Sequence, residues 1–534
     1  MFCQTYALKR YWRPIRTDSN DPALYPSEGQ IYNILDKDQT DELMKHAIAY
    51  HDVEIDGQVD STLKLIRRGQ VAQPYNRPTK PLRVIRTETD ADAEPRLETR
   101  DVVKESLPDP SSLVIVERYH TNVLMPMGEV IKMFSCTLEL LTCVRDYIKE
   151  QKYGHGKLIL HRDISTGNLL IFEADDGSTF GRLMDYDHAK KASAMGKIES
   201  QIAGVAPSEL DVQRDLLRPV IKYQTGRQVE DDVIDVALKW TEFGDAALAY
   251  IKDVIKSTGS SDKASDKPLS LTDLGWIDTD QTQPHDWPDF GNREPSPGER
   301  TGTVPYMSAE VIARRSLFPL SGNSTIPPFM HQAIHDVESL LWVLVRLCLT
   351  RKGPGVNMRR DELDEDSLMY DHQLKEVVNC LFEGSDVEVK DNKVKLVQNS
   401  DLAVFEKRVV VHFHPYFEPL KPYVRQWWAT LLLGYRHRGE EFYNIHDHIL
   451  RILDKAIIEI SRDTVEDDKA KQAELDRRRL HKERRLATFR PRDLTTPPSS
   501  PLSLINTPPH RHRSYQDDQD SPLAAEPRRK KLHQ

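Results

Sequence analysis

Two spacings of apolar residues alternate along the chain. Short apolar runs bounded by polar, Gly- or Pro-containing turns predict strands, and apolar residues recurring every three or four positions predict helices. Residues 6–9 (Tyr-Ala-Leu-Lys) read as a strand ending in Lys9. Residues 27–35 read as a helix, with Ser27 as N-cap and Ile31 and Leu35 on one face. Residues 113–116 and 122–125 are candidate strands. Phe134, Leu138, Leu141, Val144 and Ile148 fall at helical spacing and predict a long amphipathic helix. That helix leads into an apolar run, 158–160, a polar turn, 161–168, and a second run, 169–172: two strands and the loop between them. Residues 183–189 place an acidic turn, Asp185-Tyr186-Asp187, at a strand end. Residues 336–349 are apolar nearly all round, as a helix at the centre of a helical unit is. Residues 387–397 alternate about Asp391-Asn392 and predict a hairpin; 423–433 and 445–460 predict helices.

Between these segments lie polar stretches. Residues 67–112 read as a loop-rich insert, and 191–300 as a long interruption. Within the interruption, 233–255 is helical in pattern and 257–297 is rich in Ser, Asp, Gly and Pro and expected to be flexible. Residues 463–486 predict a charged, exposed helix, and 490–534, rich in Pro, Ser and Arg, a disordered tail. The 534 residues are 38 % hydrophobic and 30 % charged, which suits a packed core plus much solvated chain. A net charge of -10 argues against a general nucleic-acid binder. Five cysteines without paired spacing argue for reduced thiols in an intracellular setting. No apolar h-region is present in residues 1–13, so no signal peptide is read, and the longest apolar run, 340–349, is too short to span a bilayer.

The chemistry concentrates in His161-Arg162-Asp163-Ile164-Ser165-Thr166-Gly167-Asn168. A carboxylate and a carboxamide five positions apart project from one short loop. Phosphoryl transfer needs such a pair, one group to receive a hydroxyl proton and one to hold magnesium. The order His-Arg-Asp, four residues, Asn is a specific signal.

With Asp185-Tyr186-Asp187 and Gly302-Thr303-Val304-Pro305-Tyr306-Met307-Ser308-Ala309-Glu310, this loop makes the chain resemble the fungal-type protein kinase family. The helix opening His335-Asp336-Val337-Glu338-Ser339 resembles the central helix of a kinase large lobe. The resemblance covers roughly residues 1–460 and implies an α+β, two-lobed protein kinase-like fold. Residues 1–128 form the small lobe and hinge, 129–460 a large helical lobe interrupted at 191–300, and 461–534 a charged helix and disordered tail. It implies ATP and Mg2+ as cofactors and serine or threonine hydroxyls of protein substrates as acceptors. Asp163 takes the role of base, Asn168 and Asp185 hold magnesium, Lys9 contacts the phosphates with Glu28 as its partner, and Arg162 pairs with an anion from the activation segment. Thr303 resembles the threonine that contacts the catalytic loop, and Asp336 the aspartate that ties that loop to the central helix. Met125, Met127 and Gly128 fall at the hinge beside the adenine.

The sequence also departs from the kinase pattern. Only eight residues precede Lys9, without a Gly-x-Gly-x-x-Gly loop, so the small lobe is expected to be truncated before the lysine strand. Asp187 stands where most kinases have glycine, and Ser165 where serine/threonine kinases usually have lysine. Two other readings stay open: a pseudokinase serving as a binding or scaffold module, and a small-molecule phosphotransferase. Basic clusters at 477–485 and 528–531 suggest an import receptor as a further partner and a nuclear or cytoplasmic location, with no membrane and no nucleic acid.

Overall fold

Strand β1 (Tyr6–Pro14) pairs antiparallel along its whole length with β5 (Arg118–Pro126), placing Lys9 opposite Val123 and Ala7 opposite Met125. Lys9 therefore lies inside the strand, not at its end. Strand β2 (Ala49–Asp52) joins the other edge of β5, and β3 (Glu54–Ile55) and β4 (Gln58–Val59) make a short hairpin beside it. The computed structural model describes residues 6–14, 26–40, 45–62, 118–174, 176–192, 194–198, 207–240, 245–257, 267–271, 285–289, 302–318, 329–355, 358–399, 402–436, 445–463 and 468–488. The expected strand at 113–116, the insert at 67–112 and the tail at 490–534, with its basic cluster at 528–531, lie outside the described residues.

Helix α1 (Glu28–Leu35) starts where the sequence places it. Ser27 Oγ accepts from Gln30 N at 3.3 Å and Gln30 Oε1 accepts from Ser27 N at 2.7 Å, a reciprocal cap. Such a cap stabilises a helix start by about 1 kcal/mol. Ile31, Tyr32 and Leu35 are its buried face. Strand β6 (Glu129–Val130) precedes α2 (Thr137–Gly156), which begins three residues later than the apolar spacing suggests because Cys136 caps it through Glu139 N. Leu140, Leu141, Val144, Tyr147 and Ile148 of α2 are buried. Strand β7 (Ile159–Leu160) leads into the loop, and β8 (Leu169–Glu173) and β9 (Thr179–Leu183) follow it as a hairpin extended by β6. Strand β10 (Lys190–Lys191) returns to pair with β7.

The chain then leaves this frame. Strand β11 (Ala194–Ile198) pairs with β12 (His285–Asp289). Helices α3 (Pro207–Thr225), α4 (Asp231–Trp240) and α5 (Asp245–Ser257) close over a core of their own, with Ile221, Val233, Ile234, Leu238 and Ile251 at its centre. The single helix expected over 233–255 is thus two helices. The flexible stretch expected over 257–297 contains a paired strand, and Leu269 bridges Val229.

After α6 (Ala309–Ala313), helix α7 (Ala333–Thr350) runs through the main core with almost every side chain buried. Around it lie α8 (His372–Val378), α9 (Asp386–Gln398), α10 (Leu402–Arg408), α11 (Lys421–Arg436) and α12 (Ile445–Asp463). Trp342 meets Trp428 edge-on at 5.7 Å, and Trp428 stacks on Phe405 at 4.3 Å, so the tryptophans serve packing. Residues 387–397, expected as a hairpin, are helical. Ser385 caps α9 reciprocally with Glu388, and Val389, Lys393, Leu396 and Val397 recur at helical spacing on its buried side. Helix α13 (Asp468–Thr488) contains the first basic cluster, and it is not simply exposed: Arg478 is buried against Glu139 of α2 at 2.9 Å. The architecture is a helix-rich α+β fold with small antiparallel sheets. Among the described residues no helix is long and apolar enough to cross a membrane.

Candidate active site

The β1–β5 register turns Lys9 toward α1 and the acidic turn. Its ammonium lies 2.8 Å from Glu28 Oε2, 2.6 Å from Asp185 Oδ1 and 2.9 Å from Asp187 Oδ2. Glu28 is buried and fully engaged: Oε1 also accepts from Tyr32 Oη at 2.6 Å and from Tyr186 N at 3.2 Å. Tyr32 Oη in turn accepts from Asp185 N at 3.0 Å. Burial opposes the charge on Lys9, but the three carboxylates outweigh it and hold its pKa above the ordinary lysine value. Burial also opposes ionisation of Asp185, yet Lys9 holds this carboxyl below its usual range. Asp187 goes the other way: burial and the Glu28 charge push it up to about 8 against the pull of Lys9.

The loop at 161–168 is held from below by Asp336. Its carboxylate accepts from His161 N at 3.0 Å and from Arg162 N at 3.2 Å, and His331 Nε2 donates to it at 3.0 Å. This grip maintains Arg162 at φ 69°, a left-handed conformation unfavourable for a side-chain-bearing residue. Asp185, at φ 69°, is the second such residue in the site. His161 accepts from Asp163 N at Nδ1 and donates from Nε2 to Met184 O at 3.0 Å, which joins the loop to the acidic turn. Asn168 Nδ2 donates to Asp163 O at 2.9 Å and lies 3.3 Å from Asp163 Oδ2. Thr303 Oγ1 donates to Asp163 Oδ1 at 2.9 Å. Gly302, at φ 105°, passes so close that a Cβ there would meet Arg162 O at 3.0 Å.

The structure therefore brings together Lys9, Glu28, Asp185, Asp163, Asn168, Thr303 and the Arg162 backbone. Met125, next to the end of β5, is buried against the core, and Met127 is half-buried in the crossing to β6. Gly128 in that crossing sits against Leu170 and Phe172 of β8, where a Cβ would fall within 3.0 Å of both. The roles of two participants escaped the sequence reading. Tyr32 was legible only as an apolar-face residue, although its place four after Glu28 puts both on one face. Asp187 was read as a replacement for glycine, not as a partner of Lys9. Tyr306 belongs to the 302–310 segment that carries the resemblance, and its hydroxyl meets Thr166 Oγ1 at 3.1 Å and accepts from Arg346.

Hard oxygen donors suit magnesium. Asn168 spends its Nδ2 on Asp163 and so turns its carbonyl oxygen to other use; Asp185 commits Oδ1 to Lys9 and retains Oδ2. These two residues fit the ion. Glu28 lies with Asp185 and Asp187 in one carboxylate group whose oxygens are within 4.8 Å of one another. Its oxygens are committed to Lys9, Tyr32 and Tyr186, so it acts as the lysine's partner.

A family model described as fungal protein kinase matches residues 3–208 and 277–348, more than half of the chain. The chain belongs to the fungal protein kinase family. No curated protein matches it. The gap in the match coincides with α3, α4 and α5, the helices that have their own core, so the family pattern resumes where the chain returns to the site. Both the Lys9 cluster and the Asp163 loop fall inside the matched residues, as does Thr303. Membership implies use of ATP and, with it, a metal ion.

Proposed function

We propose that this fungal protein kinase family member transfers the γ-phosphoryl group of ATP to serine or threonine hydroxyls of protein substrates. The observation that carries the reading is the Asp163 carboxylate, held by Thr303 Oγ1 at 2.9 Å and flanked by Asn168, in one site with Lys9, Glu28 and Asp185. In this reading the fold has two lobes. Residues 1–128 carry the small lobe and hinge, 129–460 the large lobe, and 461–534 an appended helix and tail.

Each side chain has a task. Lys9 orients the phosphates, and Glu28 keeps it extended across the site. Asp163 receives the proton of the attacking hydroxyl, whose approach Thr303 restricts by fixing Oδ1. Asn168 and Asp185 hold magnesium, whose charge offsets that on the phosphates. The acceleration comes from positioning and electrostatics, with no covalent enzyme intermediate. The test is transfer from labelled ATP with magnesium to a mixed peptide library. Asp163→Asn is expected to lower the rate by about 10²–10⁴-fold, the usual worth of a general base, with nucleotide affinity nearly unchanged. A variant as fast as wild type removes the role of Asp163.

One observation favours a second reading, the pseudokinase. Asp187 adds a third carboxylate to Lys9, and the ammonium must loosen from it to meet a phosphate. Wild-type protein that binds magnesium-nucleotide yet transfers nothing to peptide or water supports that reading instead.

A further inference from the structure

Lys393 is a lysine with no exposed surface, placed in the buried face of α9 among aromatic side chains. Its ammonium lies 4.7 Å from the Trp342 ring centre and 5.7 Å from that of Phe382. A cation in such surroundings is costly unless it is fully bonded. Its bonds go to one place. Nζ donates to Pro305 O at 2.6 Å and to Met307 O at 2.9 Å, both in the segment that starts at Gly302. The opposing charge is Glu338 of α7, also fully buried, which accepts from Ala309 N at 2.9 Å, from Trp342 Nε1 at 2.8 Å and from Tyr435 Oη. A buried base thus takes two carbonyls of the segment, and a buried acid takes the amide two residues later. Val389 of α9 packs on Met307 and Ile312, closing the same face with apolar contact.

The gripped segment touches the catalytic loop twice. Thr303 binds Asp163, and Tyr306 binds Thr166. Any shift of the 303–307 backbone is therefore transmitted to Asp163. A residue kept only for core stability gains nothing from being a lysine here, since an apolar side chain of similar length fills the space without desolvating a charge. The amine is explained by the two carbonyls it holds.

We infer that Lys393 is the positioning residue of the substrate-docking segment. Through Pro305 and Met307 it sets the backbone on which a protein substrate lies, so that the acceptor hydroxyl is presented to Asp163. The inference rests on the kinase reading above for its functional half, and its structural half is measurable without activity. Burial brings the Lys393 amine down to about 7 although Glu338 opposes the shift, consistent with a group kept for its hydrogen bonds more than for its charge.

The experiment uses the full chain with Lys393→Met, Lys393→Gln and the paired Lys393→Met/Glu338→Gln, which removes both buried charges and keeps the fold accessible if the single variant does not fold. Hydrogen exchange is followed over residues 303–309 and over α7, and peptide kinetics are measured alongside. The expected result is faster exchange confined to 303–309 in the Met variants, with partial recovery in the Gln variant, which can still donate. A loss of about 10²-fold in kcat/KM for peptide, as for a misplaced reacting group, accompanies it, while the KM for ATP stays within about twofold. Exchange over 303–309 equal to wild type overturns the inference, as does loosening spread equally over α7. If wild type transfers nothing, the kinase reading fails and the exchange pattern alone decides whether Lys393 holds the segment.

Discussion

At the scale of single residues, the site is governed by a phenol outside the motifs. Tyr32 is buried, donates to Glu28 and receives Asp185 N–H, so it settles how the carboxylates around Lys9 are arranged. Tyr32→Phe leaves the Asp185 amide without this acceptor and Glu28 with one donor fewer, Lys9 and Tyr186 N remaining. A buried polar group left unpaired costs about 1–3 kcal/mol. The variant is expected to lose about that much stability in urea denaturation and to bind nucleotide more weakly, because Asp185 is no longer fixed. Unchanged urea midpoint and affinity remove this role from Tyr32. The motif residues Asp163, Asn168 and Asp185 were legible in the sequence because loop chemistry demands particular residue types at fixed spacing. Tyr32 and Lys393 were not, because each works through a tertiary contact: their partners lie 153 and 86–88 positions away in the chain.

At the scale of elements, α1 must be held at both ends for Glu28 to stay beside Lys9. Ser27 caps its start, and Asp36 at its end accepts from His46 Nδ1 at 2.5 Å, while His46 Nε2 meets Glu150 of α2. Glu150 also accepts from Leu183 N at 2.7 Å, just before the acidic turn. His46 stacks on Tyr32 at 5.4 Å and meets Tyr186 edge-on. Both ring nitrogens face carboxylates, so the latch is an imidazolium. Burial opposes that charge and Arg182 opposes it further, but Glu150 and the bonds to Asp36 and Glu150 prevail, and the pKa of His46 is raised. A raised histidine contributes stability that is complete below its unfolded value, about 6.5, and is lost as pH rises through the folded value. His46→Phe, which preserves the stack, is therefore expected to be less stable than wild type by a margin that is full below about pH 6.5 and shrinks as pH rises through the raised value of the folded state. A margin independent of pH in denaturant titrations rules out the charged latch. The same scale explains the misread helix α9. Alternating β-branched residues and an Asp-Asn pair suggested a hairpin, yet Ser385 and Glu388 form a capping box, and the helical stripe through 389, 393 and 396–397 was disguised because its central member is a lysine. Helices α1, α2, α7, α11 and α12 were legible because apolar residues dominate their stripes, although Glu28, Glu139, Glu338 and His446 are buried in them as well. The division of 233–255 into α4 and α5 was not, since both halves bury the same kind of face.

At the scale of the whole molecule, the region behind the 161–168 loop contains three neutral histidines, and these shape how the fold responds to acid. Burial pushes His155 down to about 4 although the Asp336 charge opposes it. Burial pushes His446 down to about 3, with His155 and Lys152 adding to the effect. His331 falls to about 4, where burial outweighs its bond to Asp336. His155 and His446 face each other at 5.7 Å, so α2 and α12 meet through uncharged rings there. Unfolding releases all three to water, where a histidine titrates near 6.5. Below about pH 6.5 the unfolded chain therefore binds protons that the folded chain refuses, and stability falls with pH, by about 1.4 kcal/mol per pH unit for each proton of difference. Asp336 and Glu150, both held below their usual range, extend the decline to lower pH, because they too must take up protons as the fold is lost. His46 does not offset it, since its contribution is constant below its own unfolded value. Asp187 works the other way over this range, because its carboxyl, pushed up to about 8, keeps in the fold a proton that the unfolded chain has lost. The expected outcome is therefore a fall in stability between about pH 6.5 and about pH 4 with a slope of up to about two protons, three from the histidines less one from Asp187. His446→Phe keeps an aromatic ring between α2 and α12 and removes one titrating group. Its slope in denaturant titrations at successive pH values is expected to be lower by about one proton, whatever its absolute stability. An unchanged slope places the acid-sensitive groups elsewhere in the fold.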